Sequence, residues 1–143
     1  MFLDTSGLLC YHHRDEPQHR DAVVLFENAV RRITHNYVLA EFIPLCQARG
    51  FDRRKAIAFM RDLLESDVVQ VVWVDRELHC AAVNFLDSRP DKTYSLCDAV
   101  SFVIMRLQGV QDALTTDHHF EQEGFVRPLP PVRGKGSVVR GCR

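Results

Sequence analysis

Four acids, Asp4, Glu41, Asp98 and Asp117, each stand at the mouth of their own apolar stretch. Asp4 follows Met1-Phe2-Leu3, and Asp117 ends the run Ala113-Leu114-Thr115-Thr116. Open α/β sheets bind ligands outside the carboxyl ends of their strands, so an acid just past a buried strand is a candidate for chemistry. Two carboxylates about 5 Å apart repel by roughly 3 kcal/mol at an effective dielectric of about 20. Four in one notch must take up protons or hold a cation. An oxygen-only set, with no thiolate and no necessary histidine, suits Mg²⁺ or Mn²⁺. Such an ion makes a nucleophile of water and stabilises a phosphodiester under in-line attack. Thr5, Ser6 and Thr116 stand beside these acids, where they would orient the carboxylates or the water.

Each residue also has a plainer reading. Ser95-Leu96-Cys97-Asp98 has the form of a capping box, which makes Asp98 a favourable acid in a first helical turn. Asp4 and Asp117 fit Asx-turns at strand ends. Glu41 lies among Val38, Leu39, Phe42 and Ile43, and an acid in such company wants a partner. Adjacent side chains on a turn diverge, so His118 and His119 read as surface histidines. Arg53-Arg54-Lys55 and His12-His13-Arg14 read chiefly as solvated faces, with RNA contact as the alternative.

The elements that must position the acids alternate between strand and helix. Met1-Phe2-Leu3 is a strand stub, and Leu8 to Tyr11 is a further apolar run. Asp15-Glu16-Pro17 opens a helix, and Ala22, Val23, Phe26, Ala29, Val30 and Ile33 recur at helical spacing. Residues 33–35 form a second strand, and Asn36 N-caps a helix that carries Glu41, is kinked by Pro44 and closes at Gly50. Asp52 opens the next helix. Val68 to Val74 reads as a strand buried on both faces. Asp75 caps a helix to about Asp87, Ser95 starts another that Gly109 ends, and a strand at 112–116 follows. A last edge strand is expected around Phe125-Val126. This order predicts a three-layer α/β/α sandwich with a mainly parallel central sheet, residues 1–129 forming the domain and residues 130–143 a flexible glycine-rich basic tail.

At 143 residues with 46% hydrophobic and 26% charged content, the chain is long enough for one core and too apolar for disorder. Five widely spaced cysteines offer no zinc-finger pattern, which points to a reducing compartment. No signal peptide or membrane span is legible, so a cytoplasmic protein is expected. Residues 131–143 hold Arg133, Lys135, Arg140 and Arg143 and no acid, leaving 14 basic against 19 acidic residues, net −5, in the rest. A nucleic acid must then be held by local patches and metal rather than bulk charge.

Asp4-Thr5-Ser6, Thr34-x-Asn36-x-x-x-Ala40-Glu41, Ser95-x-x-Asp98-Ala99-x-Ser101-Phe102 and Thr115-x-Asp117-x-x-Phe120, in this order over residues 1–129, resemble the PIN domain. More narrowly they resemble the VapC-type toxin ribonucleases of bacterial toxin–antitoxin systems. The resemblance implies an endoribonuclease dependent on Mg²⁺ or Mn²⁺ that leaves a 5′-phosphate and a 3′-hydroxyl. It also implies a homodimer and a small antitoxin whose tail enters the acidic notch. It assigns the acidic roles to Asp4, Glu41, Asp98 and Asp117. Cys97 replaces the family's small hydroxyl residue, and Pro44 is unusual in its helix. Other readings are an RNA-processing relative that is no toxin, a binding module docking a partner's arginine in the notch, and an aspartyl phosphatase. Ser6 stands where the phosphatase would need a second aspartate.

Overall fold

Four short strands, β1 (Phe2–Leu3), β2 (Ile33–His35), β3 (Gln70–Val72) and β4 (Ala113–Leu114), form one sheet in the order β3-β2-β1-β4, with every pair parallel. This computed structural model describes residues 1–132, so most of the expected tail, residues 133–143, lies outside the described residues. Neighbouring side chains on a strand point to opposite faces. Phe2 and Leu3 are both fully buried, as are Ala113 and Leu114, so both faces of the central strands are covered. The helices α1 (Thr5–His12) and α2 (His19–Asn28) lead from β1 to β2. Then α3 (Asn36–Ala48) and α4 (Arg53–Glu65) lead to β3, and α5 (Arg76–Asp87) and α6 (Leu96–Gln108) lead back to β4. The short α7 (His119–Gln122) follows β4. The chain thus runs outward through β2 and β3, then returns to lay β4 on the other side of β1. That reversal opens a crevice at the carboxyl ends of β1 and β4.

Most helix ends follow the sequence. Asp52, Asp75 and Ser95 accept a hydrogen bond from the first turns of α4, α5 and α6, and Ser95 and Asp98 form the reciprocal capping box. Gly109 ends α6 in the left-handed conformation. α3 continues through Pro44 to Ala48.

The apolar run Leu8 to Cys10 lies in a helix, α1; all three are buried, so no amphipathic stripe marks it. Several expectations are corrected. The stripe from Ala22 to Ile33 is not one helix. α2 stops at Asn28, Val30 is fully exposed, and Ile33 is buried in β2. Arg32 donates to the carbonyls of Phe26 and Glu27 at 2.7 and 3.1 Å, which satisfies the open end of α2. Asn36 is not the cap of α3. His35 fills that place through Nδ1, and Asn36 Oδ1 accepts instead from the Val74 amide at 2.7 Å. The run 68–74 is an edge strand rather than a central one: β3 pairs only with β2, and Trp73 is 66% exposed. The expected strand at Phe125-Val126 is a single bridge from Val126 to Asp112.

Two buried polar contacts tie β2 to its neighbours. Thr34 donates to the Leu3 carbonyl, and His35 Nε2 lies 2.8 Å from Ser101 Oγ. Ser101 spends its proton on the Cys97 carbonyl, so His35 must donate through Nε2 and accept the Val38 amide at Nδ1. Burial pushes the His35 imidazole down to about 3, in keeping with this neutral form.

Glu123, just beyond α7, accepts from Arg89, Arg106 and the Tyr94 hydroxyl at 2.7, 2.7 and 3.0 Å. Burial alone would raise its carboxyl, but these donors outweigh burial and hold it at about 2. A depressed carboxyl stabilises the fold above its unfolded value and loses that contribution as pH falls toward the folded one. Glu123→Gln is therefore expected to lower the thermal midpoint by several degrees at neutral pH. The gap between the two proteins should close below about 4.5 and be gone by about 2, which thermal melts across that window would check.

Candidate active site

Asp4 leaves β1 as the N-cap of α1, and Thr115 leaves β4 beside it. Because Leu3 is in register with Leu114, the next pair outward is Asp4 and Thr115. Thr115 Oγ1 donates to Asp4 Oδ2 at 2.7 Å, and Ser6 Oγ donates to the same oxygen at 3.3 Å. The Asp117 amide in turn donates to Thr115 Oγ1 at 3.0 Å, drawing Asp117 toward Asp4. Ser6 Oγ accepts from the Thr116 amide at 2.9 Å, so one hydroxyl joins the start of α1 to the loop after β4.

Asp98 arrives from α6. Its Oδ2 accepts the Ser95 amide at 3.1 Å, which is the capping bond that the plainer reading requires. The same carboxylate also faces the crevice, so capping and clustering are both true of it. Asp4 and Asp98 are 7% and 8% exposed, and Asp117 is half-buried. Glu41, on the second turn of α3, is exposed on the rim, with Thr5 Oγ1 3.4 Å from its Oε2.

The four acids line one cleft of about 730 Å³ together with Thr93 and His119. A hollow of about 610 Å³ at the opposite end of the sheet has only Asp112 as an acid, and the chain's amino terminus lies 3.8 Å from it. The first cleft, where all four acids meet, is therefore the candidate site. Burial pushes the Asp4 carboxyl up to about 7; the Thr115 hydrogen bond opposes this, and the charges of Asp98 and Asp117 add to it. A carboxyl so strained is the expected signature of acids gathered for a cation. Asp98, Asp117 and His119 each present a ligand atom within 4.8 Å of the others. The donors are carboxylate oxygens with one imidazole nearby, a set that fits a hard divalent ion.

Two residues at the cleft escape sequence reasoning. Thr115, rather than Thr116, puts its hydroxyl on Asp4; Thr116 is exposed and is held through its backbone by Ser6 and Arg127. Strand alternation offers that signal, since only one of two adjacent threonines can face inward. His119 is not the surface residue expected. It opens α7 and turns inward, with Nδ1 3.0 Å from Asp98 Oδ2, whereas His118 is exposed. The two do diverge, but into different environments. Cys97 is buried behind the site, and burial with the charges of Glu41, Asp4 and Asp98 pushes its thiol far up, toward the neutral form. The four described cysteines are free. Among the described residues no helix is long and apolar enough to cross a membrane.

Comparison with known proteins agrees with this geometry. The PIN domain family model matches residues 1–125. The chain is 33% identical over 131 residues to the 23S rRNA-specific endonuclease VapC20 of two Mycobacterium tuberculosis strains, covering 91% of this chain and 98% of that protein. The crystal structure of M. tuberculosis VapC20, described as a sarcin–ricin loop cleaving toxin, superposes with a TM-score of 0.80 at 32% identity. That match covers 87% of this chain and 95% of the other.

Proposed function

The chain belongs to the PIN domain family and is an endoribonuclease of the toxin type, and on that premise we propose that Asp4, Glu41, Asp98 and Asp117 form its catalytic centre. The observation that carries this reading is convergence: acids up to 113 positions apart line one cleft at the sheet's reversal point. Asp4, Asp98 and Asp117 would hold the metal ion, with Glu41 reaching in from the rim. Mg²⁺ or Mn²⁺ is the proposed ion, on the strength of the carboxylate oxygens. When bound, it supplies positive charge against the phosphodiester and lowers the pKa of an attacking water.

The chain's own residues do the rest. Thr115 and Ser6 fix the Asp4 carboxylate, Ser95 and the capping turn fix Asp98, and the His119 amide fixes Asp117 Oδ1 at 2.9 Å. Glu41 and Asp117 are the more open acids, and each is placed to orient water or take its proton. RNA is the substrate class, and we propose the sarcin–ricin loop of 23S rRNA as the target, because that is what the similar toxin cleaves. We further propose that the protein acts in the cytoplasm as a homodimer and is neutralised by an antitoxin whose tail enters this notch.

An oligonucleotide of that rRNA loop is the direct test. The protein with Mn²⁺ should cut it at one position, EDTA should abolish cleavage, and added Mn²⁺ or Mg²⁺ should restore it. Cleavage that persists in EDTA would refute the metal site. Indifference to the loop, with cleavage of another RNA, would overturn only the target.

A further inference from the structure

Both ring nitrogens of His119, at the wall of the cleft, have partners that helix capping and packing do not require. Its Nδ1 lies 3.0 Å from Asp98 Oδ2, the same oxygen that accepts the Ser95 amide. Nε2 lies 3.3 Å from Thr93 Oγ1 on the loop between α5 and α6. The ring stands edge-on to Tyr94, with centroids 5.2 Å apart, and Tyr94 is itself held through Glu123 by Arg89 and Arg106. One neutral tautomer satisfies both ring contacts: Nδ1–H donates to the carboxylate, and Nε2 accepts from the threonine hydroxyl.

Resting on the metal-site reading above, we propose that His119 is a positioning residue that decides which oxygen of Asp98 is presented to the cation. A carboxylate turns easily about its last torsion, whose energy profile is broad and nearly two-fold. With the Ser95 amide and the His119 imidazole both on Oδ2, that rotation is arrested. Oδ1 receives no hydrogen bond among the described residues and is left for the ion. The Thr93 hydroxyl and the Tyr94 ring fix the imidazole in turn, so the loop before α6 is coupled to the metal site through one side chain. Nδ1 faces Asp98 Oδ2 at 3.0 Å, with Asp117 Oδ2 farther off at 3.4 Å, and a nitrogen so turned to carboxylates distinguishes this role from direct ligation.

Titration of the metal-free protein with Mn²⁺ by calorimetry, with pulsed electron paramagnetic resonance of the loaded protein, separates the possibilities. His119→Phe keeps the ring against Tyr94 and removes both nitrogens. It should weaken Mn²⁺ binding about 10- to 100-fold, the range for an outer partner of a metal site, and lower kcat with KM for RNA held. His119→Asn restores an N–H near the Nδ1 position and should recover most of the affinity. Thr93→Val, on the exposed loop, should give a smaller loss in the same direction; it carries the test if His119→Phe does not fold. Resonance should show no nitrogen bound directly to Mn²⁺. Unchanged Mn²⁺ affinity in a folded His119→Phe, or in Thr93→Val if only that variant folds, overturns the inference, as does a directly bound nitrogen. Failure of the unaltered protein to bind Mn²⁺ would instead overturn the metal site, and this inference with it.

Discussion

Asp4→Asn is expected to lose RNA cleavage by more than about 100-fold, beyond the range for an outer partner of a metal site, and yet to make the metal-free protein more stable at pH 8. The two effects share one cause. Asp4 is buried between Thr115 and Ser6 with Asp98 and Asp117 close by, and its carboxyl is pushed up from 3.8 to about 7. A carboxyl raised on folding contributes stability that is fully present below its unfolded value and is lost as pH rises through the folded one. The metal-free protein should therefore weaken between about pH 4 and pH 7, by at most about 4 kcal/mol. The neutral amide of Asp4→Asn carries no such penalty, and its oxygen can still accept from Thr115. Thermal melts at pH 4 and pH 8, with and without Mn²⁺, would show the crossing. The variant should gain on the parent as pH rises, and Mn²⁺ should stabilise the parent alone. Equal cleavage by the two proteins, or a stability difference flat with pH, would show that Asp4 is not in a strained metal site.

Much of this is legible in the chain because the relevant signals are local. Capping residues such as Asp52, Asp75 and Ser95 act within one turn, so their roles follow from residue type and spacing. Asp4 and Asp117 are legible because parallel strands all point one way, which places strand-end residues at one edge of the sheet, whereas Glu41 and Asp98 reach that edge on the early turns of α3 and α6. Whatever depends on a distant partner is not. Val68 to Val74 looks the same at the centre of a sheet and at its edge, and only the pairing of β3 with β2 alone decides that Trp73 faces out. The end of α2 is set by Arg32 reaching back to its last carbonyls, an event the apolar spacing of Val30 and Ile33 does not record. His119 escapes for the same reason. Its direction is set by Asp98, Thr93 and Tyr94, 21 to 26 residues earlier in the chain.

Gly7→Ala is expected to cost the fold at least about 3 kcal/mol, at or above the upper end for overpacking a core, and to disable the site with it. Gly7 lies in the first turn of α1, where that helix presses on the end of β4. A Cβ there would stand 1.8 Å from the Leu114 carbonyl oxygen and 2.4 Å from its carbon. Both are backbone atoms of a strand hydrogen-bonded to β1, so neither can swing aside as a side-chain tip would. Relief requires α1 and β4 to separate. They are the two elements that bring Ser6 and Thr115 together at 3.2 Å and put both on Asp4, so the carboxylate loses its grip as the helix moves. Gly109 makes the contrasting control. It has φ +66, and a methyl added there would meet nothing within 4 Å, so Gly109→Ala bears only the left-handed backbone penalty of about 1 kcal/mol. Denaturant melts should rank the two variants in that order, and a folded Gly7→Ala remnant should bind Mn²⁺ more weakly than Gly109→Ala. Near-native stability in Gly7→Ala would mean that α1 does not rest on β4 this closely, and the placement of Asp4 beside Thr115 would have to be redrawn.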